Sequence, residues 1–165
     1  MHEKTIGILN KAIADELSAV NQSMYFHFHC DDQGYAPLSA LFKRTAITEM
    51  THTEKLAERI LFLGGDVEMT ALHPVEQIRD VAKMLAKAKK MESAGATDYN
   101  KFALECSTLG DSVTKRLFEE LVADEESHYD NFDKQEQHLE KFGEQFLALQ
   151  SVGRAAPSGA EHPGD

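Results

Sequence analysis

One spacing, repeated, constrains this chain more than any other feature. Glu16 is followed 33 residues later by Glu49, which opens Glu49-x-x-His52. Glu92 is followed 33 residues later by Glu125, which opens Glu125-x-x-His128. The two halves are offset by one constant interval, so four carboxylates and two imidazoles form a duplicated set. Of the eight histidines, His52 and His128 alone have a Glu three positions earlier, and both fall in this register. A four-helix bundle that holds two metal ions in its core needs this inventory: one Glu from each of two helices and Glu-x-x-His from each of the other two.

Hydrophobic periodicity supplies the helices, and the fold class is all-α. The first patterned segment runs from about Lys4 to Cys30, with Leu9, Ile13, Val20 and Met24 at helical spacing. Asp31-Asp32-Gln33-Gly34 breaks it, and Pro37 sits near the start of the second, which stops at Gly64-Gly65. The third starts after Pro74 and carries Val81, Leu85, Ala88, Ala96, Tyr99 and Ala103. Gly110 stops it, Asp111 is the candidate N-cap of the fourth, and the fourth runs to about Lys141. Phe146-Leu147-Ala148-Leu149 reads as a short fifth helix, so one domain is expected over residues 1–152. The composition from Arg154 onward reads as a flexible tail, over 153–165.

Loop lengths set the topology. Two short breaks make the first and second helices, and the third and fourth, antiparallel neighbours. The middle connection, Gly64 to Ile78, is roughly 15 residues, longer than bundle connections usually are. Extended, it reaches on the order of 45 Å, the length of such a bundle. A crossover running end to end is therefore expected.

All six repeated residues fall on the apolar stripes. Glu16 lies between Ile13 and Val20, Glu49 and His52 between Thr45 and Leu56, Glu92 between Ala88 and Ala96, and Glu125 and His128 between Val122 and Phe132. An unpaired carboxylate inside a core is costly. Helix positions i and i+3 rise about 4.5 Å and differ by about 60°, so each Glu and His pair can reach one ion. The four negative charges balance two divalent cations, and mixed oxygen and nitrogen ligands suit iron or manganese, with zinc as a competitor.

The remaining composition narrows the partners. A net charge of −11 argues against nucleic acid or an anionic membrane surface as partner. No run of about 18 apolar residues is present to span a membrane, and Met1-His2-Glu3-Lys4 lacks the apolar core of a signal peptide. The expected location is cytoplasmic. Cys30 and Cys106 form no metal-binding pair; each lies 14 residues beyond its Glu, which puts them roughly 40 Å apart on antiparallel helices and excludes a disulfide. His27-Phe28-His29-Cys30-Asp31-Asp32 has the residue types of a metal cluster, but neighbours on a helix diverge, so a helix end near a subunit junction is the expectation.

Over roughly residues 3–150 the sequence resembles the ferritin-like superfamily and, within it, the bacterioferritins. The resemblance is carried by Asp15-Glu16-Leu17 with Asn21-Gln22, by Glu49-Met50-x-His52 through Glu58-Arg59-Ile60-Leu61-Phe62-Leu63, and by Asp124-Glu125-Glu126-x-His128. It implies a ferritin-like four-helix bundle in which Glu16 and Glu92 are terminal ligands, Glu49 and Glu125 bridge two irons, and His52 and His128 each complete one. The implied activity is ferroxidase: Fe(II) oxidised by O2 or H2O2, with ferric mineral stored in a hollow shell of 24 chains. A ferredoxin-type donor for iron release is a further implied partner. Met50 stands where the family pattern binds haem b, one Met from each chain across a twofold axis; Ala46, Ala57 and Leu61 share its face, which suggests a subunit contact. The alternative to haem is an adaptable interface methionine.

The sequence also departs from the family. Ser23 and Leu56 stand where some members have tyrosines, and Arg44 and Thr48 where some have His and Asp on the inner wall. Tyr99 offers a substitute electron donor, with core packing the favoured reading. Two rival functions remain: a non-storing di-iron peroxidase related to rubrerythrin, against which the lack of Cys-x-x-Cys counts, and a twelve-chain DNA-protecting mini-ferritin, whose basic arm is missing.

Overall fold

The computed structural model describes residues 2–153. Five helices follow one another: α1 Glu3–Asp32, α2 Ala36–Phe62, α3 Val81–Thr108, α4 Ser112–Phe142 and α5 Glu144–Val152. Among the described residues none is long and apolar enough to cross a membrane. The tail expected from Arg154 lies outside them.

The most extensive packing is α1 on α2 and α3 on α4, two antiparallel hairpins as the short breaks require. Each first helix ends in the same way. Gly34 and Gly110 adopt positive φ, 81° and 74°, and the next amide donates back to Cys30 O and Cys106 O at 2.8 and 2.9 Å. This is the left-handed helix end that glycine adopts without a side-chain clash. The duplication therefore extends beyond the six polar residues to the turns.

The long connection, residues 63–80, lies along α1. Four positions on α1 spaced one turn apart hold it. Asn10 Nδ2 donates to Asp66 O and Asn10 Oδ1 accepts from Glu68 N, both at 3.0 Å. Leu72 N donates to Ala14 O, and His73 N to Ser18 Oγ, at 3.0 Å each. Gln22 exchanges two bonds with the backbone of Glu76, at 2.8 and 3.0 Å. These anchors explain why α3 starts at Val81 rather than directly after Pro74: the backbone through Glu76 is committed to α1. Asp80 then caps α3, accepting from Lys83 N at 2.9 Å.

The core divides into two apolar clusters. One gathers Leu9, Ile13, Leu56, Ile60, Phe118 and Leu121, and the other Phe26, Leu38, Phe42, Leu85, Phe132 and Phe146. Burying each large side chain stabilises by roughly 1.5–3 kcal/mol. Phe146 belongs to the second cluster, which seats α5 against the bundle. Cys106 lies in the first cluster and Cys30 in the second, both as free thiols, in agreement with the excluded disulfide. Burial pushes the Cys30 thiol up to about 12.

Candidate metal centre

Between the two apolar clusters the chain places Glu16 on α1, Glu49 and His52 on α2, Glu92 on α3, and Glu125 and His128 on α4. The four carboxylates and His52 are buried, and the His128 side chain is 11% exposed. Two groups able to hold a cation emerge among the described residues: Glu16, Glu49, His52 and Glu125, and Glu49, Glu92, Glu125 and His128. Within each, the potential ligand atoms lie within 4.8 Å of one another. Glu49 and Glu125 belong to both groups, whereas Glu16 and His52 belong to one and Glu92 and His128 to the other. The two imidazole rings stack with centroids 6.2 Å apart. All six residues singled out by the spacing are thus brought together.

Four polar atoms of this centre find no hydrogen-bond partner among the described residues. Glu49 Oε2, His52 Nδ1, Glu92 Oε2 and Glu125 Oε1 are buried without a hydrogen-bond partner. His52 Nδ1 lies 3.0, 3.3 and 3.4 Å from oxygens of Glu49, Glu16 and Glu125, but none of these contacts has hydrogen-bond alignment. A buried polar group left unpaired costs about 1–3 kcal/mol, more when charged. Four such atoms turned toward common points form a donor set suited to a divalent cation, so the residues present fit a pair of metal ions.

The crowding of these buried groups shifts their protonation. Burial, and then the Glu49 charge, push the Glu16 and Glu92 carboxyls well above the usual range. Burial also raises Glu125. Burial acts the same way on Glu49, but the hydrogen bond from His128 and the neighbouring His52 ring outweigh it and leave that carboxyl lowered. Burial opposes charge on both imidazoles, yet the surrounding carboxylates prevail and raise them, Glu125 foremost for His52 and Glu49 for His128.

Three contributors had no counterpart in the spacing argument. Asp124 Oδ2 accepts from His52 Nε2 at 2.9 Å, which fixes the ring so that Nδ1 faces the carboxylates. Tyr99 donates its hydroxyl to Glu16 Oε1 at 2.7 Å; it packs against Phe102 and Phe118 as the core reading expected, but it also touches the centre, which that reading did not foresee. Burial, and then Glu16, raise the Tyr99 phenol, which keeps it a neutral donor. Gly95 is the third. A Cβ there would lie 2.8 Å from Glu125 Oε2, so the missing side chain is what lets that carboxylate lie against α3. A glycine one turn after Glu92 is the only sequence sign of it.

Two cavities approach the centre from opposite faces. One, about 360 Å³, lies between α1 and α3 and is lined by Asp15, His73, Lys90, Glu92 and Glu125 among others. The second, about 570 Å³, lies between α2 and α4 and includes Arg44, Thr48, His128 and Asn131.

The other candidates separate. His27 Nδ1 lies 2.8 Å from Ser39 Oγ and 2.9 Å from Ser39 O, the His29 ring lies tilted against Tyr25 with centroids 4.3 Å apart, and Cys30 faces Met84 Sδ at 3.6 Å. The side chains of the segment thus fan out in different directions. Met50 is 53% exposed, with Ile47 and Leu61 also exposed on α2. Ala46, expected on that face, is instead buried at 2%.

Comparison with known proteins converges on one family. The profile of the ferritin-like domain matches residues 6–142. The bacterioferritin of Desulfovibrio desulfuricans is 37% identical over 145 residues, covering 88% of this chain and 81% of that protein. The bacterioferritin of Brucella melitensis is 37% identical over 142 residues, with 86% and 88% covered. That of Rhodobacter capsulatus is 33% identical, with 88% and 91% covered. A crystal structure of the D. desulfuricans bacterioferritin, which describes its di-iron site in different catalytic states, superimposes with a TM-score of 0.92 at 34% identity, covering 99% of this chain and 95% of that one. By fold, sequence and the six residues at its centre, the chain belongs to the ferritin-like family and, within it, to the bacterioferritins.

Proposed function

We propose that this protein oxidises Fe(II) at the bundle centre and stores the ferric product inside a hollow homo-oligomeric shell. The observation that carries the reading is the set of four unpaired, buried atoms on Glu49, His52, Glu92 and Glu125, which converge where two cations fit. Glu16 and Glu92 are the terminal ligands, Glu49 and Glu125 the bridging pair, and His52 and His128 complete one position each. The sharing of Glu49 and Glu125 between the two groups supports that division. Two irons held there supply two electrons together to O2 or H2O2.

The chain's own residues do the rest. Carboxylates concentrate cations, and the apolar clusters on either side keep bulk water away. Asp124 sets the His52 tautomer, and Tyr99 holds Glu16 in place. The cavity between α1 and α3 gives Fe(II) a route lined by Asp15 and His73.

The finer points of the reading rest on the family resemblance and on surface features. The shell has 24 chains, and α5, seated by Phe146, takes part in its contacts. The exposed Met50 binds haem b with the same residue of a second chain across a twofold interface. Release of iron draws on a ferredoxin-type donor, the setting is cytoplasmic, and residues 1–152 act as one unit.

Aerobic loading with excess ferrous salt, followed by size exclusion and iron analysis, tests the function. Hundreds of irons eluting with a large assembly is the expected result. About two irons per chain would identify a non-storing di-iron redox protein and end the storage reading. Haem is read separately: a Soret band in the wild type that disappears in Met50→Leu.

A further inference from the structure

The duplication that builds the centre is incomplete in its supporting residues. Seven residues after each lone Glu stand Ser23 in the first half and Tyr99 in the second. One residue before each Glu-x-x-His stand Thr48 and Asp124. The two larger groups, Tyr99 and Asp124, both come from the second half, yet both act on the same side of the centre. Tyr99 Oη donates to Glu16 at 2.7 Å, and Asp124 accepts from His52 at 2.9 Å. Glu16 and His52 are also the two ligands particular to one cation position.

The other position has no such support. Glu92 Oε2 has no hydrogen-bond partner among the described residues, and Ser23, in the position matching Tyr99, brings no phenol to it. Thr48, in the position matching Asp124, turns its hydroxyl to Arg44 O in its own helix at 3.1 Å. His128 bonds Glu49 through Nδ1 at 3.1 Å, and its Nε2 has no partner among the described residues. The ring is partly exposed and borders the cavity between α2 and α4.

We propose that the two positions are unequal by construction: Tyr99 and Asp124 make the Glu16–His52 position the tightly held one, while the Glu92–His128 position exchanges its ion. The inference rests on the reading of the centre as a two-metal site. Its physical basis is preorganisation. A ligand already fixed by a hydrogen bond loses less freedom on binding, and a histidine whose second nitrogen donates to a carboxylate is a stronger ligand. Loss of one such partner typically lowers metal affinity about 10–100-fold.

The test is an anaerobic titration of the iron-depleted full assembly with Co(II), followed by its visible absorption and by calorimetry. Wild type should take up one Co(II) per chain in a tight step and a second in a step at least about tenfold weaker. Tyr99→Phe keeps the ring that packs on Phe118; it should weaken the tight step about tenfold and leave the weak step in place. Thr48→Asp, at a partly exposed site, should strengthen the weak step toward the tight one. His128→Gln should remove the weak step alone. Thermal melting of each variant separates a folding defect from a binding effect. Two equal steps in the wild type, or loss of the tight step in His128→Gln, would overturn the proposal while leaving the two-metal reading intact. Uptake of fewer than two ions per chain would overturn both.

Discussion

Two polar clusters lie inside this bundle, and they are built on opposite terms. Arg59 on α2 donates through Nε to Thr114 Oγ1 at 2.9 Å and through an amino group to Asp111 Oδ1 at 2.8 Å. Asp111 in turn accepts from the backbone and hydroxyl of Thr114 at 3.0 and 2.7 Å. Asp111 serves both as the cap of α4 and as the ion-pair partner of Arg59 on α2, and each atom named here has a partner. At the centre of the bundle the carboxylates outnumber the donors, and four atoms lack one. A closed network holds the fold together. An open one is stabilised by the cation it binds.

The difference can be tested from either side. The largest effect is expected at the centre: Glu92→Gln should slow rapid Fe(II) oxidation at least about hundredfold, measured by stopped flow. The same change should stabilise the metal-free protein at neutral pH by about 1 kcal/mol or more, because a carboxyl whose folded pKa is raised weakens the fold once it must ionise. A fall in metal-free stability would break the contrast.

Asp111→Ala should do the reverse, leaving the oxidation chemistry in place and costing about 1–3 kcal/mol in denaturant melts. Burial alone would raise the Asp111 carboxyl, but the Thr114 bonds and Arg59 outweigh it, so it is lowered. Its contribution is therefore complete above about pH 4, the ordinary aspartate range, and disappears as pH falls through the depressed value. Wild type and variant should converge in stability at low pH.

Gly95→Ala tests the open network more gently. The new methyl adds about 1 kcal/mol of helix propensity but meets Glu125 Oε2 at 2.8 Å. Metal-free stability should change by less than about 1 kcal/mol, while Co(II) affinity falls. The smallest effect is expected at Lys89, which pairs with Asp133 and Glu136 near the surface. Lys89→Met should shift stability by less than about 1 kcal/mol, and less still in high salt.

How much of this was legible in the sequence depended on distance along the chain. The six ligand candidates were legible because their 33-residue interval and Glu-x-x-His pattern repeat, and the helices because apolar periodicity and turn glycines are local signals. Asp124 is not assigned to the centre by the sequence, and Tyr99 is weighed there only as a substitute electron donor, behind core packing. Asp124 points about 100° away from Glu125 along its own helix and reaches His52 only because α2 lies beside α4. Tyr99 reads as an ordinary core aromatic until α1 brings Glu16 against it. Asn10, Ser18 and Gln22 form a polar row along one face of α1, but what they hold is a loop more than 50 positions away in all five of the bonds that join them to it.

That row also bears on the order of assembly. Each hairpin closes through neighbours in sequence, and the row on α1 carries the crossover with the first hairpin, so both can form quickly and separately. The four carboxylates meet only when the hairpins dock, which makes the seam the last and most repulsive surface to close. A divalent ion bound across it acts after the barrier. It should slow unfolding, with little effect on the rate of folding.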